Sequence, residues 1–594
     1  MPDGENPQGI KSPASTAEVR QAWIRALAEV KRMATDPGLT LAGMLDALAA
    51  AHGDRPALSG EGESFTYREL AARTNRIARW AVADGLAGQA VALLMPNRPE
   101  YVAIWLGLTR AGCAVALINT NLAGEVLAHS LKAAQVRRVI VADSLAPALA
   151  AIADRPRAGG AIEWQRFNDG VARFDNTPLS TTECALPAQK DLALFIYTSG
   201  TTGAPKAARV THGRIIEWAL WFAGMMDAGP ADRLYDCLPL YHSTGGVVAI
   251  GAMLLKGGSV LIRARFSATR FWDDVVDGGC TVFQYIGELC RYLAASPAHP
   301  RERQHKLRLA CGNGLQGAVW TPFAARFGVP RILEFYAATE GSVSLYNVEG
   351  KPGAIGRVPP FLAQRFPVAL VRCDADNGAP QRDAAGRCIP CGPDEIGEAL
   401  GKVVADTPAP ARQFDGYTDG AATAHKLIRD AFAPGDCWFR TGDLMRKDAA
   451  GYFYFVDRIG DTFRWKGENV STGEVETVLR ACPGVADAAV YGVTVPGQEG
   501  RAGMAALTVD GNFDQAALWA HAEARLPAYA QPLFLRLGGA LDLTGTFKLA
   551  KSRLAREGYR DSADPVWFND RAARGFVRCD AALIRTLELN AKRC

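Results

Sequence analysis

The stretch Tyr197-Thr198-Ser199-Gly200-Thr201-Thr202-Gly203-Ala204-Pro205-Lys206 directly follows the apolar run 192–196. A short apolar run that stops at glycine and hydroxyl residues predicts a buried strand leading into a loop. Glycines at 200 and 203 allow backbone N–H groups to approach an anion without interference from a Cβ atom. Further donors come from four hydroxyl groups and one ammonium group: Thr198, Ser199, Thr201, Thr202 and Lys206. The stretch therefore predicts a phosphate-binding loop.

This loop differs from a Walker A loop, which has four residues between its glycines and a Ser or Thr directly after its Lys. Here two residues separate Gly200 from Gly203, and Ala207 follows Lys206. On composition alone the stretch also fits a surface turn rich in Ser, Thr and Gly. The full string, however, resembles the phosphate loop of the adenylate-forming enzymes, which include acyl-CoA synthetases, luciferases and nonribosomal-peptide adenylation domains.

Composition narrows the function classes. A chain of 594 residues is too long for one hydrophobic core, so we expect at least two domains. Its 66 basic and 62 acidic residues give a net charge of +4, too small to indicate a nucleic-acid partner. Thirteen scattered cysteines favour a reducing compartment over a disulfide framework. The lone CxxC of Cys388 and Cys391, with Cys373 upstream, is weak support for a zinc site.

The sequence shows no secretory signal at its start. Its most membrane-like segment, 102–118, carries Arg110 and two glycines, and it is shorter than the roughly 20 apolar residues that span a bilayer. We interpret it as a buried helix followed by a buried strand. We therefore expect a cytoplasmic protein, with peripheral contact at the inner face of a membrane as an open alternative.

Helical and strand patterns alternate along the first part of the chain. Segment 16–36 predicts a leading helix, and the segments that follow it up to residue 142 alternate between helix and strand. This alternation predicts an α/β domain.

The segment Gly312-Asn313-Gly314-Leu315-Gln316-Gly317 fits the GxGxxG pattern of dinucleotide-binding proteins, and Glu334 lies near the spacing expected of a ribose-binding acid. Taken alone, it would indicate an NAD(P)-dependent oxidoreductase. Its position in the middle of the chain and the next motif disfavour that interpretation.

That next motif, Phe335-Tyr336-Ala337-Ala338-Thr339-Glu340-Gly341, resembles the "YxxTE" segment of the adenylate-forming family. The resemblance implies that Tyr336 packs on adenine with Ala338 beside it, that Thr339 bonds phosphate and that Glu340 binds Mg²⁺, a hard cation suited to carboxylate oxygen. Gly312, Asn313 and Gly314 would then form the floor of the adenine and acyl pockets. The segment Pro239-Leu240-Tyr241-His242 resembles a family segment in which the histidine lines and gates the acyl site, which implies that role for His242.

Further matches lie towards the end of the chain. The resemblance implies that Asp443 and Arg458 bind ribose and phosphate, that Gly460 is the interdomain hinge and that Lys466, Gly467 and Glu468 help to form the tunnel for the thiol. Lys548 matches the C-terminal catalytic lysine, whose charge would stabilise the transition state of adenylation.

Four stretches resemble a narrower branch, the fatty-acid transport protein / very-long-chain acyl-CoA synthetase family: 116–122, 284–293, 461–470 and 500–506. The resemblance implies a large multi-subdomain α/β N-terminal domain with a small mobile α+β C-terminal domain. The expected organisation is a helical leader (1–40), an adenylation domain (41–457), a hinge (458–461) and a C-terminal domain (462–594).

The activity implied is that of a long-chain or very-long-chain fatty acid–CoA ligase using ATP, Mg²⁺ and coenzyme A, with coupling to fatty acid uptake as an extension. The alternatives are an acyl-AMP ligase that passes the acyl group to a carrier protein and a non-catalytic fatty-acid carrier.

Overall fold

The computed structural model describes residues 15–152, 160–199, 205–339, 341, 343–374, 378–404, 413–459, 461–465, 468–496, 498, 500–541 and 551–591. The chain divides into two compact units. The first consists of Met1–Val368, Gly401–Arg429 and Gly435–Phe439, and the second of Ala369–Leu400, Asp430–Pro434 and Arg440–Cys594. The expected boundaries at 40, 457 and 461 stay predictions.

The helices, in chain order, are α1 Thr16–Thr35, α2 Leu45–His52, α3 Tyr67–Ala83, α4 Pro99–Arg110, α5 Gly124–Ala133, α6 Ala146–Ala150, α7 Trp164–Val171, α8 His212–Met226, α9 Ile250–Leu254, α10 Phe271–Asp277, α11 Gly287–Ala295, α12 Gly317–Phe327, α13 Gly420–His425, α14 Thr472–Arg480, α15 Gln515–Arg525, α16 Lys551–Glu557 and α17 Ala581–Ala591.

The strands are β1 Pro56–Gly60, β2 Glu63–Thr66, β3 Ala90–Leu94, β4 Ala114–Leu117, β5 Arg138–Val141, β6 Ala161–Glu163, β7 Leu192–Ser199, β8 Pro205–Thr211, β9 Arg233–Asp236, β10 Ser259–Ile262, β11 Val282–Ile286, β12 Leu309–Asn313, β13 Ile332–Ala337, β14 Ser344–Asn347, β15 Gly356–Arg357, β16 Val368–Val371, β17 Gly397–Lys402, β18 Leu427–Arg429, β19 Cys437–Lys447, β20 Tyr452–Arg458, β21 Phe463–Trp465, β22 Glu468–Val470, β23 Val485–Val493, β24 Ala502–Val509, β25 Phe534–Gly538, β26 Val566–Asp570 and β27 Gly575–Arg578.

Two largely parallel sheets form the first unit. One has eight strands in the order β14-β13-β12-β11-β9-β10-β1-β2, and only its two edge pairs are antiparallel. The other has six strands in the order β6-β5-β3-β4-β7-β8, with β7 and β8 antiparallel. Parallel strands need helices on both faces, which explains their continuous apolar runs. One hydrophobic cluster joins these strands to α1, α4 and α8.

The segment 102–118 has the predicted structure, because α4 is buried along its whole length and leads into the buried strand β4. Within the described ranges, no helix is long and apolar enough to cross a membrane. The leading helix is also confirmed. Ser15 caps α1 by accepting a hydrogen bond from the backbone N–H of Glu18, and the Glu18 carboxylate bonds back to Ser15.

The second unit contains a five-stranded sheet in the order β23-β24-β25-β26-β27. Its core includes residues from this sheet, from α14, α15 and α16, and from the hairpin of β21 and β22. Ser471 caps α14, because its hydroxyl accepts a hydrogen bond from the backbone N–H of Glu474.

Candidate functional site

The predicted phosphate loop connects two paired strands. β7 and β8 form an antiparallel hairpin in which Thr198 lies directly opposite Lys206. Ahead of the loop, the Tyr197 hydroxyl donates a 2.6 Å hydrogen bond to the carbonyl of Ser130 and so ties β7 to α5. The donors at the two strand ends therefore sit side by side at the entrance of the loop. Residues 200–204, with Gly200, Thr201, Thr202 and Gly203, and the side chain of Ser199 lie outside the described part.

A segment at 413–418 runs along β8, an arrangement that the sequence analysis missed. Tyr417 pairs with Ala208, and the backbone N–H of Arg209 bonds to the carbonyl of Gly416 at 3.1 Å. The ammonium group of Lys206 lies 5.7 Å from the centre of the Tyr417 ring. This distance suits a cation–π contact, which holds Lys206 beside the loop.

Arg214, in the first turn of α8, connects this segment to Thr339, two residues after the end of β13. Its guanidinium group is fully buried and donates to the carbonyl of Thr339 at 2.9 Å and to that of Gln413 at 2.5 Å. A carboxylate oxygen of Asp415 lies 3.4 Å away. A buried arginine is stable only when it is paired and hydrogen-bonded, so this side chain fixes the backbone on both sides of it.

Thr339 also faces the turn that carries His242. The hydroxyl groups of Thr339 and Ser243 are 3.2 Å apart, within hydrogen-bonding distance. His242 is half-buried, and its ring centre lies 4.6 Å from that of Tyr241. Residues Thr244–Ala249 then form a π-helix. This conformation is rare in proteins, and where it occurs it is often part of a functional site.

An apolar cavity opens next to these hydroxyl groups. Its walls come from α8, from the π-helix and from β13 and β14. The lining residues are Trp218, Phe222, Ser243, Thr244, Val248, Phe335, Ala337, Ala338, Thr339 and Tyr346. Its apolar side chains lie together beside the paired hydroxyl groups of Ser243 and Thr339, a chemistry that suits an apolar group ending in a polar one. The cavity measures about 20 Å³, so such a group could enter only if these side chains moved apart.

Glu334 explains the misleading GxGxxG pattern. Its buried carboxyl group accepts hydrogen bonds from the backbone N–H groups of Gly314 at 2.5 Å and Leu315 at 3.2 Å, and from the Tyr285 hydroxyl at 2.5 Å. Burial raises the pKa of Glu334 to about 8, although these three donors oppose the rise. Because the Glu334 carboxyl group is buried and already hydrogen-bonded to three groups of the protein, a role in binding a dinucleotide ribose is disfavoured.

Gly312 and Gly314 have structural reasons to be glycine. A Cβ atom on Gly312 would lie 2.1 Å from the carbonyl oxygen of Tyr285, and Gly314 has a φ of +80°. Asn313 ends β12, and Tyr336 lies one residue before the end of β13. The structure thus places Gly312 and Asn313 on the strand next to the one that carries Tyr336, with Gly314 directly after that strand.

The second unit carries the predicted ribose-binding pair. Asp443 and Arg458 are opposite partners on β19 and β20, and their side chains form an ion pair of 3.2 Å. Asp443 is buried, and its backbone N–H bonds to the hydroxyl of Thr441 at 3.0 Å. The structure therefore brings together the carboxylate and the guanidinium group that the sequence analysis had paired.

A buried polar network begins at Asp457, one residue before the end of β20. Asp457 accepts hydrogen bonds from the backbone N–H of Thr472 at 2.7 Å and from its hydroxyl at 3.0 Å. Lys551 donates to the same hydroxyl at 2.7 Å and forms an ion pair of 2.7 Å with Glu476. Burial raises the pKa of Asp457 and of Glu476, and the charge of Lys551 opposes both rises. The network joins the end of β20 to the first turns of α14 and α16, and no sequence pattern indicated it.

Several predicted residues lie outside the described part of the chain: Glu340, Gly460, Lys466, Gly467 and Lys548. Glu468 is exposed at the start of β22. Among the residues that are described, no three His, Cys, Asp or Glu side chains are grouped as a metal site.

Comparisons with known proteins show which family this chain resembles. A family model described as AMP-binding enzyme matches residues 45–384, and one described as AMP-binding enzyme C-terminal domain matches residues 474–548. Long-chain fatty acid transport protein 1 of Mus musculus is 41% identical over 562 residues, which cover 91% of this chain and 86% of that protein.

A medium/long-chain-fatty-acid–CoA ligase of Mycobacterium tuberculosis, FadD6, is 41% identical over 537 residues, covering 89% of this chain and 88% of the ligase. Among solved structures, ATP-bound MatB from Rhodopseudomonas palustris is 25% identical with a TM-score of 0.72, covering 88% of this chain and 99% of that one. These likenesses confirm the fold class expected from the sequence.

Proposed function

This chain belongs to the AMP-binding enzyme family, and on that premise we propose that it is an ATP-dependent ligase that joins a long-chain or very-long-chain fatty acid to coenzyme A. The observation that carries the proposal is the apolar cavity with Ser243 and Thr339 in its lining. The aromatic walls suit an apolar tail and the Ser243 hydroxyl suits its carboxylate, and the cavity of about 20 Å³ would widen to admit them. The names of two relatives, a fatty acid transport protein and a fatty-acid–CoA ligase, support the same substrate class.

The proposed reaction has two steps. The carboxylate oxygen of the fatty acid attacks the α-phosphorus of ATP, which forms acyl-AMP and releases pyrophosphate. The thiol of coenzyme A then attacks the acyl carbon, the C–O bond to AMP breaks, and the thiol proton passes to solvent. Adenylation is required because a carboxylate is a poor electrophile until its oxygen belongs to a good leaving group.

We assign the phosphates of ATP to the hairpin of β7 and β8. Thr198 and Lys206 stand at the two ends of its loop, and the contact with Tyr417 limits the positions open to the Lys206 ammonium group. Donors fixed before the substrate arrives stabilise developing charge without reorganisation. Thr339 is the further phosphate ligand that we propose, with its backbone held by Arg214.

The remaining roles follow the family resemblance. Asp443 and Arg458 are the proposed ribose ligands, Tyr336 and Ala338 the proposed adenine contacts, and His242 a residue of the acyl entrance. Mg²⁺, held by Glu340, would neutralise phosphate charge. Lys548 is proposed to contact the reacting carboxylate and α-phosphate during adenylation, and Gly460 to be the hinge. Lys466, Gly467 and Glu468 are the proposed residues of the thiol tunnel.

The proposed chemistry needs no nucleophile from the enzyme. The burial of the cysteines is consistent with this, because a buried thiol is a poor nucleophile. In the described part of the chain each is buried or half-buried. Burial raises the pKa of Cys113 and of Cys280 to about 12, so neither forms a thiolate at neutral pH.

The test is to measure release of pyrophosphate and AMP with a panel of carboxylic acids of increasing chain length, with and without coenzyme A. We expect thioester formation that requires ATP, Mg²⁺ and coenzyme A and is greatest with long or very long chains. Pyrophosphate release without consumption of coenzyme A would indicate an acyl-AMP ligase. Binding of fatty acid without turnover would indicate a non-catalytic carrier.

Two variants test the assignment of roles. Lys548→Ala should lower the rate of adenylation by about 10²- to 10³-fold, the usual cost of losing one preorganised donor. Cys391→Ser should leave it unchanged. Full activity in the first variant together with loss in the second would overturn the assignment.

A further inference from the structure

The leading helix α1 packs closely against α8, the helix that supplies one wall of the apolar cavity. On α1, the side chains of Ala22, Trp23 and Ala26 are fully buried. On α8, Gly224 faces this surface, and a Cβ atom there would lie 2.5 Å from the Cα atom of Ala26. The two backbones thus approach as closely as glycine and alanine permit.

Trp23 lies directly behind the wall of the cavity. Its ring centre is 5.8 Å from that of Tyr346, which lines the cavity, with an angle of 83° between the ring planes. It is also 5.9 Å from the ring centre of Trp221. Tyr346 in turn contacts Phe222, another lining residue, at 5.9 Å. Edge-to-face contacts at these distances hold aromatic rings in fixed orientations.

The indole of Trp23 takes part in this arrangement through packing and not through hydrogen bonding. Its Nε1 atom is buried and has no hydrogen-bond partner among the described residues, although a buried tryptophan usually finds one. The ring is therefore positioned by packing alone. Because a protein interior is close-packed, a smaller side chain at position 23 would give Tyr346 space to move away from the cavity.

We propose that α1 supports the wall of the acyl cavity from outside and that Trp23, by limiting how far this wall can move, limits the length and bulk of the acyl tail that the protein accepts. This inference rests on the proposed function, since it assigns the acyl tail to this cavity. Trp23 does not line the cavity itself and acts through Tyr346, so it is a positioning residue.

The experiment compares Trp23→Ala, Trp23→Phe and Trp80→Ala with the unmodified protein. Trp80 is a matched control, because it is buried in α3 and packs edge-to-face on Phe167 at 4.9 Å, with neither residue in the cavity lining. For each protein, kcat/KM is measured over saturated acids of increasing length. Binding of the same acids is measured in parallel by displacement of a fluorescent fatty acid, so that the profile is available without turnover.

We expect Trp23→Ala to shift the optimum to longer acids, with the ratio of kcat/KM between long and short acids rising by about tenfold. The change should appear in KM more than in kcat. Trp23→Phe should retain most of the original profile. Trp80→Ala should lose stability and keep the profile, because a general loss of packing does not discriminate between acids.

An unchanged length profile in Trp23→Ala, in a protein that binds and ligates fatty acids, would overturn the inference and leave the proposed function intact. Equal shifts in Trp23→Ala and Trp80→Ala would overturn it as well. Absence of ligation by the unmodified protein would overturn the proposed function, and the binding profiles would still decide whether Trp23 sets the length of the tail.

Discussion

The guanidinium group of Arg214 donates a 2.9 Å hydrogen bond to the main-chain carbonyl of Thr339, 125 residues further along the chain. We predict that Arg214→Met lowers kcat/KM for ATP by about 10- to 100-fold, because a hydrogen bond from a charged donor contributes about 1.5–3 kcal/mol and Thr339 loses its anchor. Steady-state kinetics of pyrophosphate release at varied ATP measures this effect.

Arg209→Met is the matched control, since Arg209 lies on β8 with an exposed side chain. It should change kcat/KM for ATP by less than about twofold, as expected of a surface substitution. Equal losses in the two variants would show that Arg214 has no specific part in positioning Thr339.

The cross-strand pair of Thr198 and Lys206 supports a second prediction. Thr198→Val and Lys206→Met should each lower the rate of adenylation by about 10²- to 10³-fold, because each removes one preorganised donor beside the phosphates. The thermal midpoint should change little, since both side chains are only half-buried. Stopped-flow detection of pyrophosphate measures the rate.

The exposed Lys190, just ahead of β7, is the control for the change in charge. If Lys190→Met slows adenylation as much as Lys206→Met does, general electrostatic attraction would explain both effects. The phosphate assignment would then be wrong.

Sequence patterns predicted the parts of the fold that depend on neighbouring residues. The apolar run before Gly200 indicated β7, and the alternation of helix and strand indicated the α/β class. Those signals are local: a side-chain period and a strand end can be recognised within ten residues.

Contacts between distant segments could not be predicted in this way. Nothing around Arg214 indicates that it bonds to Gln413, and nothing around Trp23 indicates its contact with Tyr346. Such pairs depend on how helices and sheets pack against one another. The pattern of apolar and polar residues in a single sequence does not determine that packing. The available signal was an arginine near the start of the mainly apolar helix α8, which indicated a buried partner.

The buried carboxyl group of Glu334 leads to a prediction about pH. Its pKa is raised from an ordinary value of 4.5 to about 8. A carboxyl group with a raised pKa stabilises the fold fully below its unfolded pKa, and this contribution is lost as the pH rises through the folded pKa. The free energy of unfolding should therefore contain a component from Glu334 that falls between about pH 4.5 and pH 8.

Glu334→Gln mimics the protonated carboxyl group, so it should remove this pH-dependent component. The variant should therefore lose least free energy of unfolding, relative to the unmodified protein, at pH 8. Urea unfolding at pH 5, 6.5 and 8 provides the comparison. Tyr285→Phe, which deletes one donor to the same group, should keep the pH dependence. A Glu334→Gln variant destabilised equally at all three pH values would show that the carboxyl group is ionised in the folded protein.

The ion pair of Lys551 and Glu476 gives the last prediction. Both side chains are largely buried, so Lys551→Met should leave Glu476 and Asp457 without their nearest compensating charge. Breaking a buried pair costs about 3–5 kcal/mol, and the double variant Lys551→Met/Glu476→Gln should recover part of that loss.

Because loss of the cation raises the pKa of both carboxyl groups further, the deficit in Lys551→Met should be larger at pH 8 than at pH 5. Arg553→Met, two residues away on the exposed face of α16, should unfold like the unmodified protein. Urea unfolding of the four proteins at the two pH values tests this. If the double variant is less stable than Lys551→Met at pH 8, Glu476 stabilises the fold through Arg480 and the backbone N–H of Val490 rather than through Lys551.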